Sequence, residues 1–167
     1  MNQNKNIFLG AFVSLLILGG IVWLAKPNAP ANQEANANSG SGAIAASESS
    51  FDFGGVSMAK GNVSHNFKIK NTGASNAIIN KIYTSCMCTT ATLKVGGEKW
   101  GPFGMPGHGF VPSLKIKLAP GAEADTEVVF DPAAHGPAGV GKIERAVIIE
   151  NDAGEPLELR FTAVVTP

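Results

Sequence analysis

In residues 62–70, Val63, His65, Phe67 and Ile69 alternate with Ser64, Asn66, Lys68 and Lys70, the period of a strand with one wet face. Few folds accept a chain built from such runs. Asn71-Thr72-Gly73 supplies turn chemistry, and residues 77–84 follow as a run rich in β-branched side chains. Leu114, Ile116 and Leu118 then alternate with Lys115 and Lys117 as far as Ala119-Pro120-Gly121. Thr126, Val128 and Phe130 close on Asp131-Pro132, and Ile143, Val147 and Ile149 mark a further strand before the turn at residues 151–154. Leu157, Leu159, Phe161, Ala163 and Val165 give an uninterrupted inward row. With a short strand at residues 51–56, this makes about seven strands at the spacing of an all-β, immunoglobulin-like β-sandwich.

Composition supports that class. The 167 residues are 44% hydrophobic, enough for one modest core, and 20 glycines and 10 prolines favour strands joined by turns over a helical bundle. The formal net charge is zero and the basic residues are scattered, so no footprint for nucleic acid or anionic lipid is present.

The sandwich pattern begins only at Phe51. Residues 7–25 are unbroken apolar or small, flanked by Lys5 and Lys26, with Trp23 near one end. At about 1.5 Å per residue, a helix of this run matches the hydrocarbon thickness of a bilayer. A cleaved signal peptide competes with that reading. The run is longer than a usual signal core, however, and Ala25-Lys26-Pro27 is a poor cleavage site, which favours a retained single-pass anchor. Lys5 and the amino terminus against Lys26 favour an extracytoplasmic C-terminal portion. Residues 27–50 are mostly Ala, Asn, Ser, Gly and Pro and read as a flexible linker. The expected organisation is therefore an anchor at 1–26, a linker at 27–50 and the sandwich at 51–167.

Several short motifs occur in a fixed order: Phe51-Asp52-Phe53-Gly54, Val63 to Phe67, Lys70 to Gly73, Ser85 to Thr90, Pro120-Gly121 and Val129 to Pro132. In these the chain, over residues 51–165, resembles the domain of unknown function 1573 family. The resemblance implies a hydin or major-sperm-protein type of immunoglobulin-like domain, in the cell envelope behind an export or anchor segment. Two features depart from that family's pattern. Met87 stands where a glycine usually separates the cysteines, and residues 93–112, read as one long glycine-rich loop, intervene before the next strand.

The only two cysteines, Cys86 and Cys88, lie at the end of the third expected strand. A disulfide between residues i and i+2 closes a very small ring and is hard to form without strain, so the pair reads as a two-thiol claw. In an up-and-down sandwich, connections alternate between the two poles. Strand parity therefore delivers the cysteines, the loop carrying Met105 and His108, and the loop carrying His135 to one end. Thiolates and thioethers are soft donors and imidazole is intermediate, a set that suits copper(I) first and zinc second over magnesium or calcium. Gly104, Gly107 and Gly109 would let the backbone curl over a site. The expected metal ligands are Cys86, Cys88, His108 and His135, with Met105 or Met87 as a soft partner.

Plainer roles stand beside these. The thiols could be structural, free or bridged between molecules, and both loop histidines simply solvated. Met105 could pack with Phe103 and Phe110, and His65 fits a satisfied core histidine. No nucleophile elbow, phosphate-cradling loop or helical metal motif is present, and a thiol oxidoreductase usually carries Cys-x-x-Cys at a helix N-terminus, so a non-enzymatic role is expected. Two functions follow. One is a membrane-anchored envelope domain that binds a soft metal. The other is an interaction module in which Trp100, Phe103 and Phe110 hold an envelope protein partner.

Overall fold

A computed structural model describes residues 44–167. The expected anchor and residues 27–43 of the expected linker lie outside the described residues. Among the described residues, no helix is long and apolar enough to cross a membrane.

The described residues form ten strands: β1 (Ile44–Ala46), β2 (Ser50–Ser57), β3 (Val63–Asn71), β4 (Ala77–Thr84), β5 (Thr89–Val95), β6 (Glu98–Phe103), β7 (Ile116–Leu118), β8 (Glu123–Phe130), β9 (Gly141–Asn151) and β10 (Leu157–Thr166). They make two five-stranded sheets, ordered β1-β3-β8-β5-β6 and β2-β10-β9-β4-β7. All pairings are antiparallel except β2 with β10. The architecture is an all-β sandwich of two sheets.

The alternation read from the sequence becomes the core. Phe67, Ile69, Leu93 and Val128 from one sheet meet Ile79, Ile82, Val147, Leu159 and Phe161 from the other, all fully buried. In β10 the buried positions are Leu157, Leu159, Phe161, Ala163 and Val165, alternating with Glu158, Arg160 and Val164 on the outside. Phe161 sits where the sheets meet, its ring centroid 5.4 Å from those of Phe53 and Phe130. Asn71, also fully buried, answers for the turn after β3. Its Nδ2 donates to the Ser75 and Leu118 carbonyls, and its Oδ1 accepts from the Gly73 N–H.

Two expectations are corrected. Residues 44–46, assigned to the linker, pair with Ile69–Asn71 as strand β1. Residues 93–112 are not one loop. They contain the end of β5 and all of β6, joined at Gly96 and Gly97, whose φ of +57° and +90° suit a two-residue hairpin turn. Thr89, Ala91, Leu93 and Phe103 are buried, so this hairpin extends the core. Adding two strands leaves the up-down count unchanged, and the connections β4–β5, β6–β7 and β8–β9 still meet at one pole. Each passes from one sheet to the other or back.

The hub position of Phe161 makes it the most sensitive test of the packing. Phe161→Ala is expected to lower the unfolding free energy by about 3–5 kcal/mol in urea titrations, and a loss of under about 1 kcal/mol would contradict a close-packed centre between Phe53 and Phe130.

Candidate metal centre

The cysteines occupy the four-residue crossing from β4 to β5. Thr84, buried at the end of β4, places its hydroxyl 2.9 Å from the Cys86 carbonyl and 3.1 Å from the Thr89 carbonyl. The Thr89 N–H donates to the Cys86 carbonyl at 3.1 Å, closing the turn. Both sulfurs are thereby folded toward the core, with Cys86 8% and Cys88 3% exposed, while Met87 between them points outward at 51%. Among the described residues the two thiols are free.

The loop from β8 to β9 reaches the same point because the Asp131 N–H donates to the Cys88 carbonyl at 2.8 Å. Asp131 also accepts from the Ala133 N–H, and a short 3-10 turn at Gly136–Gly139 starts directly after His135. His135 Nε2 lies 3.1 Å from Cys86 Sγ. The Cys86 and Cys88 sulfurs and one imidazole nitrogen of His135 all lie within 4.8 Å of one another. Two soft sulfurs and a borderline nitrogen at that spacing can close on a single ion with small side-chain adjustments.

A fourth residue completes the site and was missed from the sequence. Thr84 pairs with Val147, and Ser85 exchanges hydrogen bonds with Ala146 in the next step of the same register. One further step sets Cys86 against Arg145. By strand alternation Arg145 shares the inward face of β9 with Ile143, Val147 and Ile149. It lines the same cleft as Cys86 and His135, and although burial lowers its pKa, the neighbouring Cys88 and Cys86 sulfurs outweigh that and raise it. A cation in an otherwise apolar inward row was the available signal.

The two thiols are made unequal. Burial pushes Cys86 up, but hydrogen bonds with the Cys88 thiol, His135, the Cys88 N–H and Arg145 outweigh it and bring the pKa down to about 7. Burial also raises Cys88, and the neighbouring Cys86 sulfur raises it further, against smaller opposing effects of Thr89 and Arg145. One thiolate held by one thiol is the expected metal-free state.

Met105 and His108 sit across a cleft of about 480 Å³ that Cys86, Met87, His135 and Arg145 also line. The loop that carries them is pinched at its neck. A Cβ on Gly109 would come within 2.8 Å of the Gly104 Cα, so the two backbones need glycine to pass so close. The structure thus brings Met105 and His108 to the cleft, with His108 on its exposed side, but the three-residue cluster is Cys86, Cys88 and His135. His65 stands apart from this site, stacked on Phe51 at 3.7 Å with Nε2 2.7 Å from Glu48 Oε1. Of the three loop aromatics, Phe103 is buried and Trp100 half-buried against the core, leaving Phe110 exposed at 65%.

Comparison with known proteins adds fold, not activity. The family described as Protein of unknown function (DUF1573) matches residues 44–97, a span that starts earlier and stops sooner than the resemblance over 51–165. It includes the cysteine crossing and ends at the β5–β6 turn. No curated protein matches the sequence. A protein of unknown function from Porphyromonas gingivalis W83 is similar in structure, with a TM-score of 0.55, 16% identity, and coverage of 82% of this chain and 51% of its own. This chain therefore spans about half of that protein. PapD-like domain 7 of human CEP192 gives a TM-score of 0.45 at 12% identity, covering 85% of this chain and 94% of the domain.

The thiol asymmetry predicts a pH dependence. An acid whose pKa falls on folding contributes stability above its unfolded value, here 9.0, and loses that contribution as pH falls through about 7. Between those values the unfolded chain holds more protons at Cys86, so its contribution grows as pH rises. The raised Cys88 acts with opposite sign, and only above 9.0. In urea titrations of the reduced, chelator-treated protein, the stability of wild type relative to Cys86→Ser is expected to rise from pH 7 to pH 9. A flat or falling difference would contradict the assignment.

Proposed function

We propose that this domain binds one soft metal ion, copper(I) in preference to zinc, through Cys86, Cys88 and His135, and that it works as a binding module rather than a catalyst. The observation that carries the reading is the convergence of two sulfurs and one imidazole nitrogen within 4.8 Å. Met87 and Met105 border the same cleft as soft donors for an ion entering or leaving. Glu144 also borders it, but its carboxylate is bonded to Arg160 Nη1 at 3.1 Å. In the same reading, residues 1–26 hold the sandwich on the outer side of a membrane as a single-pass anchor, and the fold is of the immunoglobulin-like class. The apolar run at 7–25 supports that placement. Storage or transfer of the ion within the envelope fits a site that is shallow, soft and open on one side.

The test uses the full reduced chain, copper(I) and a competing chromophoric chelator. Wild type is expected to take up one ion per chain, and Cys86→Ser/Cys88→Ser to lose the competition altogether. His135→Ala should weaken binding at least as much as losing an outer partner of a metal ligand, roughly 10–100-fold, and His108→Ala much less. Equal affinity in wild type and the double serine variant would end the proposal.

A further inference from the structure

The geometry points to Arg145 as the residue that sets which ionic charge the Cys86–Cys88–His135 site accepts, tuning it to a monovalent soft cation. This rests on the metal-binding reading above and concerns its selectivity.

Arg145 lies on the inward face of β9, one register step beyond the Ser85–Ala146 pair, and lines the same cleft as Cys86 and His135. Its Nε is buried and finds no hydrogen-bond partner among the described residues, while Nη1 donates to the Glu144 carbonyl at 2.7 Å. An arginine stays protonated at any working pH. It is therefore a fixed positive charge built into the floor of the site, with no carboxylate partner of its own among the described residues.

The charge count then separates the candidate ions. Two thiolates contribute two negative charges, neutral His135 none and Arg145 one positive charge. A monovalent ion brings the cluster to zero, whereas a divalent ion leaves one net positive charge. Cys86 and Cys88 are buried residues, 8% and 3% exposed, and water screens such an excess less well there than at the open surface. Softness of the donors alone accepts both copper(I) and zinc. The fixed guanidinium adds a discrimination that donor chemistry does not supply.

Replacing Arg145 by a neutral residue reverses the balance, because the dithiolate then carries two uncompensated negative charges, which a divalent ion neutralises in full and a monovalent ion only by half. The second charge of the ion should become an advantage instead of a cost. Lysine at the same position keeps the charge while losing the planar fork, so it should keep the preference even if both affinities fall.

Copper(I) and zinc(II) affinities would be measured separately on the full reduced chain by chelator competition, for wild type, Arg145→Gln and Arg145→Lys. The ratio of copper(I) to zinc(II) affinity is expected to fall by about tenfold or more in Arg145→Gln and to stay near wild type in Arg145→Lys. A ratio unchanged in Arg145→Gln, or lost equally in both variants, overturns the inference while leaving the metal site intact. Absence of binding above the Cys86→Ser/Cys88→Ser level in wild type would instead remove the metal reading itself. Should Arg145→Gln not fold, Arg145→Met, which keeps the apolar stem and removes the charge, gives the same test. The ratio is expected to fall there too, and an unchanged ratio overturns the proposal.

Discussion

The pole of this sandwich depends on one buried hydroxyl. Thr84 ends β4 with its side chain turned inward, and its oxygen lies within hydrogen-bond reach of the carbonyls of Cys86 and Thr89. A crossing of four residues between two sheets leaves several backbone groups without ladder partners, and each is costly if buried and unsatisfied. The Thr84 hydroxyl, the Thr89 N–H and the Asp131 N–H make four contacts to three carbonyls, those of Cys86, Cys88 and Thr89. The outcome is a rigid corner in which residues i and i+2 both face the interior and the residue between them faces out.

Once that corner is fixed, the surrounding elements can only supply a particular set of neighbours. The β8–β9 loop is tied to the Cys88 carbonyl, which brings His135 against Cys86. The β4–β9 register, extended by Ser85 and Ala146, brings Arg145. Two nearly buried thiols beside a cation and an imidazole form an unsymmetrical pair, in which burial alone would keep both neutral and the hydrogen bonds release one. The same groups that lower the Cys86 pKa are those that would hold or balance a bound ion. Stability, thiol ionisation and metal charge are thus three readings of one electrostatic arrangement.

Much of this was legible in the sequence, for reasons that differ by residue. Leu157 to Val165 form a strand buried on one face, and a two-residue period leaves little freedom in such a run. Meeting of the cysteine, Met105 and His135 segments at one pole followed from counting strands. It held even though the count omitted β5 and β6, because a hairpin adds an even number. That hairpin was hidden by composition: Gly96, Gly97, Gly101 and Gly104 make residues 93–112 look like loop, although Gly96-Gly97 is itself a hairpin signal. Strand β1 was hidden for the opposite reason, since three small or apolar residues in a polar tract carry no period until Ile69 to Asn71 give them a partner. Arg145 showed in the sequence only as a cation in the inward row of Ile143, Val147 and Ile149, and that it faces the cysteine crossing needed strand register.

The central claim is that the two sulfurs and the His135 nitrogen act together on one ion. X-ray absorption spectroscopy at the copper edge of the copper(I)-loaded full chain tests it most directly, since scattering distinguishes sulfur from nitrogen. The account predicts two sulfur atoms and one imidazole nitrogen bound to copper in wild type, with the imidazole signal gone in His135→Ala and retained in His108→Ala. A spectrum with a single sulfur, or an imidazole signal that survives His135→Ala, would contradict it.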